Sequence, residues 1–404
     1  MKKRHHETAQ LLGLTGVSAA YGAGQKLVSV ALEYSEALTG DELSAEDYEV
    51  EGYSLVAVCT CDTIRGEASN TGRFVHLLLD NTGKETDLCE HIGQGPGARL
   101  HVRKPVLTVT QKRELTACSG KPVPPFARKR TENIDLGIAE RFLTASFTTP
   151  AGRTLGYNLY IPEQLVPGQV YPIVLFMHDA GSCSDDPRAP LVQGTGATVW
   201  AIESHYNRRP CFVLAPHYPN VCANDDFEVT WEAEATVALM DELCREYPID
   251  RRRIYGTGQS MGCMMLCELL LRHPGYFAGC LLVAGQWDPS RMAAARDENL
   301  WTVISMGDEK AFPIMRECLR NMRKAGGTYC ESHVDARADA AWLDAAIRSQ
   351  KARNANLNLT WFEGRSVVPD GLPVHSGMHH ICTWRKAYDI KALREWLFEQ
   401  RLCR

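Results

Sequence analysis

Two rhythms of apolar and polar positions divide the chain. From about Gly24 to Gln111, Val28, Val30, Leu32 and Tyr34 alternate with Ser29, Ala31 and Glu33, and a period of two puts successive side chains on opposite faces of a strand. Turn-rich Thr39-Gly40-Asp41 follows, and short runs recur at Tyr53 to Thr60, Phe74 to Leu79 and Val106 to Thr110. Regularly spaced short strands predict a β-sandwich of roughly a hundred residues. Lys121 to Ala139, with Pro122, Pro124 and Pro125 and then several charges, reads as a linker.

Beyond it the rhythm changes. Phe142 to Phe147 and Leu155 to Ile161 predict a hairpin around Pro150-Ala151-Gly152, and Tyr171 to His178 and Cys211 to Pro216 read as buried strands. Glu232 to Tyr247 predicts a helix leading into a strand at Arg253 to Thr257. Strands at Cys280 to Gly285, Trp301 to Ser305 and Leu357 to Phe362 follow, with helical segments between them and a last helix from Lys386 to Gln400. Such alternation implies an α/β domain with a mostly parallel sheet covered on both faces. The expected division is an N-terminal extension (1–23), a sandwich (24–120), a linker (121–139) and an α/β domain (140–404). The linker is short and Pro-containing, so the sandwich is expected to pack on the α/β domain rather than hang freely.

Composition narrows the function. At 404 residues, with 45% apolar and 23% charged residues, the chain suits two folded domains. A net charge of -5 gives no broad attraction to nucleic acid, and the basic clusters Lys2-Lys3-Arg4 and Arg251-Arg252-Arg253 are short and lack interleaved aromatics. No run approaches the roughly 18 apolar residues of a membrane-spanning helix, so no membrane partner is expected. Leu11 to Ala20 is broken by glycines and polar residues and makes a poor signal peptide. The fifteen cysteines show no zinc-site spacing, so buried free thiols and a cytoplasmic location are expected, or a secreted one had a signal been removed. A sheet edge in the sandwich would offer a contact for self-association.

The chemistry centres on Gly258-Gln259-Ser260-Met261-Gly262. This G-x-S-x-G lies between a predicted strand and Met261 to Arg272, which has the composition of an amphipathic helix. Ser260 therefore falls on a sharp strand-to-helix turn, with small neighbours allowing close approach. A serine hydroxyl needs a base and a carboxylate to orient that base, in the chain order serine, acid, histidine. His380 fits, in a loop after the last strand, with His379 and His375 as competitors. The acid should follow the strand Trp301 to Ser305, which points to Asp308, with Glu309 and Asp288 as alternatives; Asp308 also fits a helix cap near Ala311. Met261 N–H and a second donor from His178-Asp179-Ala180-Gly181, Ala180 before Asp179, are candidates for an oxyanion hole. Gln259 and Trp287 are candidate substrate contacts. This chemistry requires no metal and no cofactor, and no phosphate-cradling loop is present.

Asp250-Arg251-Arg252-Arg253-Ile254-Tyr255 through Gly262, then His273-Pro274, Phe277-Ala278, Gly285-Gln286-Trp287-Asp288, His380, Thr383-Trp384, Ala387-Tyr388 and Trp396-Leu397-Phe398 carry a resemblance. From about Phe142 to Gln400 the chain resembles α/β-hydrolase esterases related to polyhydroxybutyrate depolymerases and prolyl-oligopeptidase-type enzymes. Gln25 to Tyr48, with Leu43-Ser44-Ala45-Glu46-Asp47-Tyr48, is similar to the immunoglobulin-like domain that precedes some of these esterases. The resemblance implies hydrolysis of small carboxylic esters through an acyl-serine, with Ser260, Asp308 and His380 at matching positions. It departs at Asp179, where glycine is common, and at Cys263, where a second glycine is frequent. Other readings are a serine peptidase, though the sandwich lacks the repeated blades of a peptide-screening propeller, and an inactive binding protein.

Overall fold

The computed structural model describes residues 8–93, 97–206 and 209–403; the Lys2-Lys3-Arg4 cluster lies outside them. Two compact units emerge, one of Met1–Ala20, Gly24–Glu90 and Val102–Glu140, the other of Tyr21–Ala23, His91–His101 and Arg141–Arg404.

In the first unit, alternation along Gly24–Thr39 buries Val30, Leu32 and Tyr34 completely. This strand lies in a six-stranded sheet ordered Asn133–Asp135, Leu11–Tyr21, Gly24–Thr39, Thr71–Leu79, Leu55–Cys61, Ala68–Ser69. A three-stranded sheet of Phe126–Arg130, Thr108–Gln111 and Tyr48–Val50 and a two-stranded one of Leu115–Thr116 and Pro122–Val123 belong to the same unit. Leu27, Val30, Leu32, Val75, Leu77 and Val109 share one core, and the Tyr34 hydroxyl donates to Gln111 Oε1 at 2.8 Å between the six-stranded and three-stranded sheets.

Two sequence expectations change here. Residues 11–21 form a strand rather than part of an extension. Glycines and small residues hide its period because the fold crowds that face: a Cβ on Gly16 would lie 3.2–3.4 Å from Leu107, Ile134 and Leu27. The segment expected as a linker supplies the strands Pro122–Val123, Phe126–Arg130 and Asn133–Asp135. The prolines are accommodated because these strands are short and Pro124 and Pro125 fall between them.

The second unit holds a nine-stranded sheet. We number its strands β1 (Phe142–Thr148), β2 (Thr154–Tyr160), β3 (Tyr171–Met177), β4 (Phe212–His217), β5 (Ile249–Gln259), β6 (Gly279–Val283), β7 (Leu300–Ser305), β8 (Tyr329–Val334) and β9 (Leu357–Phe362). They lie in the order β1-β2-β4-β3-β5-β6-β7-β9-β8. Strands from β3 onward pair in parallel, and β2 runs antiparallel to β4. Every residue of β3, β4, β6 and β7 is buried, as expected of parallel strands covered on both faces. The helices are α1 (Ala189–Val192), α2 (Thr198–His205), α3 (Glu232–Glu246), α4 (Met261–Arg272), α5 (Ala311–Lys324), α6 (Ala340–Lys351), α7 (Ser376–Ala387) and α8 (Lys391–Glu399). The expected single last helix is thus two, interrupted at Tyr388-Asp389-Ile390. This is the α/β-hydrolase fold, preceded by an immunoglobulin-like domain. Among the described residues no helix is long and apolar enough to cross a membrane, and all fifteen cysteines are free thiols.

Candidate active site

Strand β5 ends at Gln259 and α4 begins at Met261, leaving Ser260 alone on the turn with φ 50° and ψ -116°. Positive φ is strained for a residue with a Cβ, and a tight surround has to maintain it. That surround is visible at both flanking glycines. A Cβ on Gly258 would lie 2.5 Å from the Gly262 backbone, and one on Gly262 would lie 2.0 Å from Met177 O at the end of β3. The Ser260 N–H donates to Val283 O at 3.0 Å, tying the turn to β6.

The first turn after β7 brings the acid. Asp308 is 2% exposed and its two oxygens have different partners. Oδ1 accepts from Ala311 N at 3.0 Å, capping α5, while Oδ2 lies 2.5 Å from His380 Nδ1. The cap and the ion-pair partner, alternatives in the sequence, are the same residue. His380 Nε2 lies 2.8 Å from Ser260 Oγ, so the structure joins Ser260, His380 and Asp308 in one hydrogen-bonded chain. His380 stands in α7 rather than in the expected loop, because Ser376 to Ala387 winds into a helix whose start is pinned where Glu309 N–H donates to Ser376 Oγ at 3.0 Å.

The competitors lie elsewhere. His379 is buried, with Nδ1 2.8 Å from Ser305 Oγ, and burial holds its imidazole below the ordinary histidine range. His375 precedes α7. Asp288 accepts from Ser290 N–H and hydroxyl, and its pKa is lowered by those bonds.

The candidate oxyanion donors sit on two turns. Met261 N–H opens α4, and Ala180 N–H opens a short 3-10 turn over Ala180–Ser182 after β3. Among the described residues neither N–H has a hydrogen-bond acceptor. His178, which the sequence placed at the end of a strand and the start of the donor turn, holds this turn in place. Its Nε2 accepts from Tyr218 N–H at 3.1 Å, so its Nδ1–H donates to Asp179 O at 2.8 Å. Complete burial drives its pKa down to about 4, so the ring is neutral and the tautomer fixed.

Gln259 is fully buried, and its Nε2 donates to Asp179 Oδ2 at 2.8 Å and to Gln193 Oε1 at 3.1 Å. It braces the Asp179 turn against the nucleophile turn. Trp287, expected to touch substrate, lies instead in the core with no exposed surface, its indole N–H donating to Glu268 Oε2 at 3.0 Å. A large ring with one donor gains more by burying its face and satisfying that donor than by lining a cleft. Among the described residues no group of three or more His, Cys, Asp or Glu side chains could hold a metal ion.

Comparison with known proteins points the same way as the fold. Residues 13–124 match the family described as the esterase Ig-like N-terminal domain. A protein of Nocardia uniformis subsp. tsuyamanensis described as a candidate esterase, NocK, is 27% identical over 172 residues, which is 42% of this chain and 48% of NocK. The chain thus matches about half the length of that relative. The crystal structure of a thermostable esterase superposes with a TM-score of 0.81 at 23% identity, covering 97% of this chain and all of that one; at this identity the likeness is one of fold.

Proposed function

We propose that the protein is a serine carboxylesterase that hydrolyses small to medium carboxylic esters. The observation that carries this reading is the hydrogen-bonded chain from Ser260 through His380 to Asp308, set on the strained turn at the end of β5. His380 Nε2 accepts the hydroxyl proton as Ser260 Oγ attacks the ester carbonyl carbon. Asp308 keeps the Nδ1 proton directed toward itself and stabilises the imidazolium that forms. The carbonyl oxygen takes up the negative charge within reach of the N–H groups of Met261 and Ala180, which stabilise it before any rearrangement is needed. His380 then returns the proton to the departing alcohol, leaving acyl-Ser260. Water, deprotonated by the same ring, attacks the acyl carbon and releases the acid. The immunoglobulin-like domain family and NocK, both described with esterases, support the reaction class.

The decisive experiment pairs turnover with labelling. Wild type should hydrolyse p-nitrophenyl butyrate and react with a fluorophosphonate probe, and Ser260→Ala should lose the label and at least about a thousandfold in kcat. Full turnover in Ser260→Ala would overturn the reading.

A further inference from the structure

A carboxylate without a cationic partner opens the turn that carries the candidate oxyanion donor Ala180. Asp179 is 7% exposed, and its Oδ2 accepts from Gln259 Nε2 at 2.8 Å and from Ser182 Oγ at 2.7 Å. Both donors are neutral. Among the described residues no lysine, arginine or histidine pairs with it. The other oxygen, Oδ1, is turned along the backbone of the Ala180 turn: a Cβ on Gly181 would lie 3.0 Å from it and 3.6 Å from the His91 ring, which is outside ion-pair distance of Asp179.

The surroundings of this carboxylate are also incompletely bonded. Gln259 Oε1, Gln193 Nε2 and Thr195 Oγ1 are buried atoms without a hydrogen-bond partner. Gln193 and Gln259 are hydrogen-bonded to each other, and the lack of a side chain at Gly196 makes room for the Phe176 ring, which a Cβ there would meet at 2.2 Å, with Gln259 Oε1 at 3.1 Å. Buried amide groups left unsatisfied are costly, and their usual partner is an ordered water or a ligand's polar group.

Charge decides what such a ligand should be. The proposed reaction builds a second negative charge at the N–H of Ala180, the residue next to Asp179. An ionised carboxylate there opposes the transition state, the more so where water is scarce. A cation in the substrate removes that opposition and gains a charge-assisted hydrogen bond. The alcohol must leave on the side of His380, which protonates it, whereas Asp179 adjoins Ala180, the candidate oxyanion donor. The group it meets therefore belongs to the acyl part.

We propose that Asp179, braced by Gln259 and Gln193, forms an acyl subsite selecting esters whose acyl chain carries an ammonium group a few bonds from the carbonyl. The proposal rests on the esterase reading above and names its substrate class. Three isosteric ethyl esters test it: 3-aminopropanoate, 3-hydroxypropanoate and butanoate, differing only in a terminal ammonium, hydroxyl or methyl. Titrated at pH 7, wild type should favour the ammonium ester over butanoate by about tenfold or more in kcat/KM, the worth of one hydrogen bond to a charged group. Asp179→Asn, and independently Asp179→Gly, should bring that ratio near unity, whatever either does to the rate common to the three esters. Equal rates for the three esters in wild type, a preference for the hydroxyl ester over the ammonium ester, or an ammonium preference that survives both substitutions would overturn it. The wild-type comparison stands even if both variants misfold. Failure of the esterase reading looks different: none of the three esters is hydrolysed, or hydrolysis persists in Ser260→Ala.

Discussion

Asp308 divides its carboxylate between two structural duties, one oxygen capping α5 and the other facing His380 Nδ1. This division separates activity from stability. Asp308→Asn keeps an acceptor for Ala311 N–H, and asparagine caps about as well as aspartate, so the melting temperature should hardly move. The amide cannot stabilise the imidazolium, and kcat should fall by about a thousandfold or more. Asp308→Ala should show the same loss of activity and in addition lose about 1 kcal/mol from the missing cap. Calorimetry beside esterase kinetics reads both quantities. At this scale the sequence was legible where a residue type and its position coincide with a topological rule: Ser260, Asp308 and His380 could be picked from order along the chain. Trp287 could not, because a tryptophan after a strand looks the same whether it lines a cleft or fills a core. Neither could the pairing of Gln193 with Gln259, 66 positions apart, since only the folded sheet brings them together.

Strands, helices and their junctions impose sharper limits than single contacts do. Gly262 lies where α4 starts against the end of β3, and an added methyl would meet the backbone of Met177, which cannot rotate away. Gly262→Ala should therefore cost about 3 kcal/mol or more and reduce fluorophosphonate labelling in whatever folds, a pair of effects that denaturant melts and a labelling gel would detect. Cys263, the neighbouring departure from the family pattern, is fully buried in α4, a small side chain that a core helix takes readily. The long central strands were readable because continuous apolar runs such as Tyr171–Met177 have no other comfortable place. Helix α7 was not readable: Ser376-Gly377 and two adjacent histidines at His379 and His380 resemble a loop. Its helical form is settled by Trp384 and Ala387 on a buried face and by the bond from Glu309 to Ser376.

Over the whole molecule, buried histidines set the response to acid. Burial lowers His76, His178, His217 and His379 below the ordinary value, His178 to about 4. The unfolded chain takes up protons near pH 6.5 that the folded chain refuses, so stability falls as pH drops from about 6.5 toward 4. His178 alone accounts for about 3 kcal/mol over that interval. Thermal melts from pH 7.5 to 4 should show the decline, and His178→Gln, whose side chain does not titrate, should make it shallower. An unchanged slope would remove His178 from the account.

The first unit also carries a constraint on the order in which the chain is made. Leu11–Tyr21, near its beginning, is flanked in the sheet by Gly24–Thr39 and by Asn133–Asp135, which pairs with it in parallel through Thr15 and Asn133. Until the ribosome has released residue 135, that early strand has an open edge. A nascent chain must therefore keep this edge unpaired, or shielded, while more than a hundred further residues are synthesised. The sandwich is completed by its last strand, so premature termination just before Asn133 yields a nearly full-length domain with a template for aggregation at its rim.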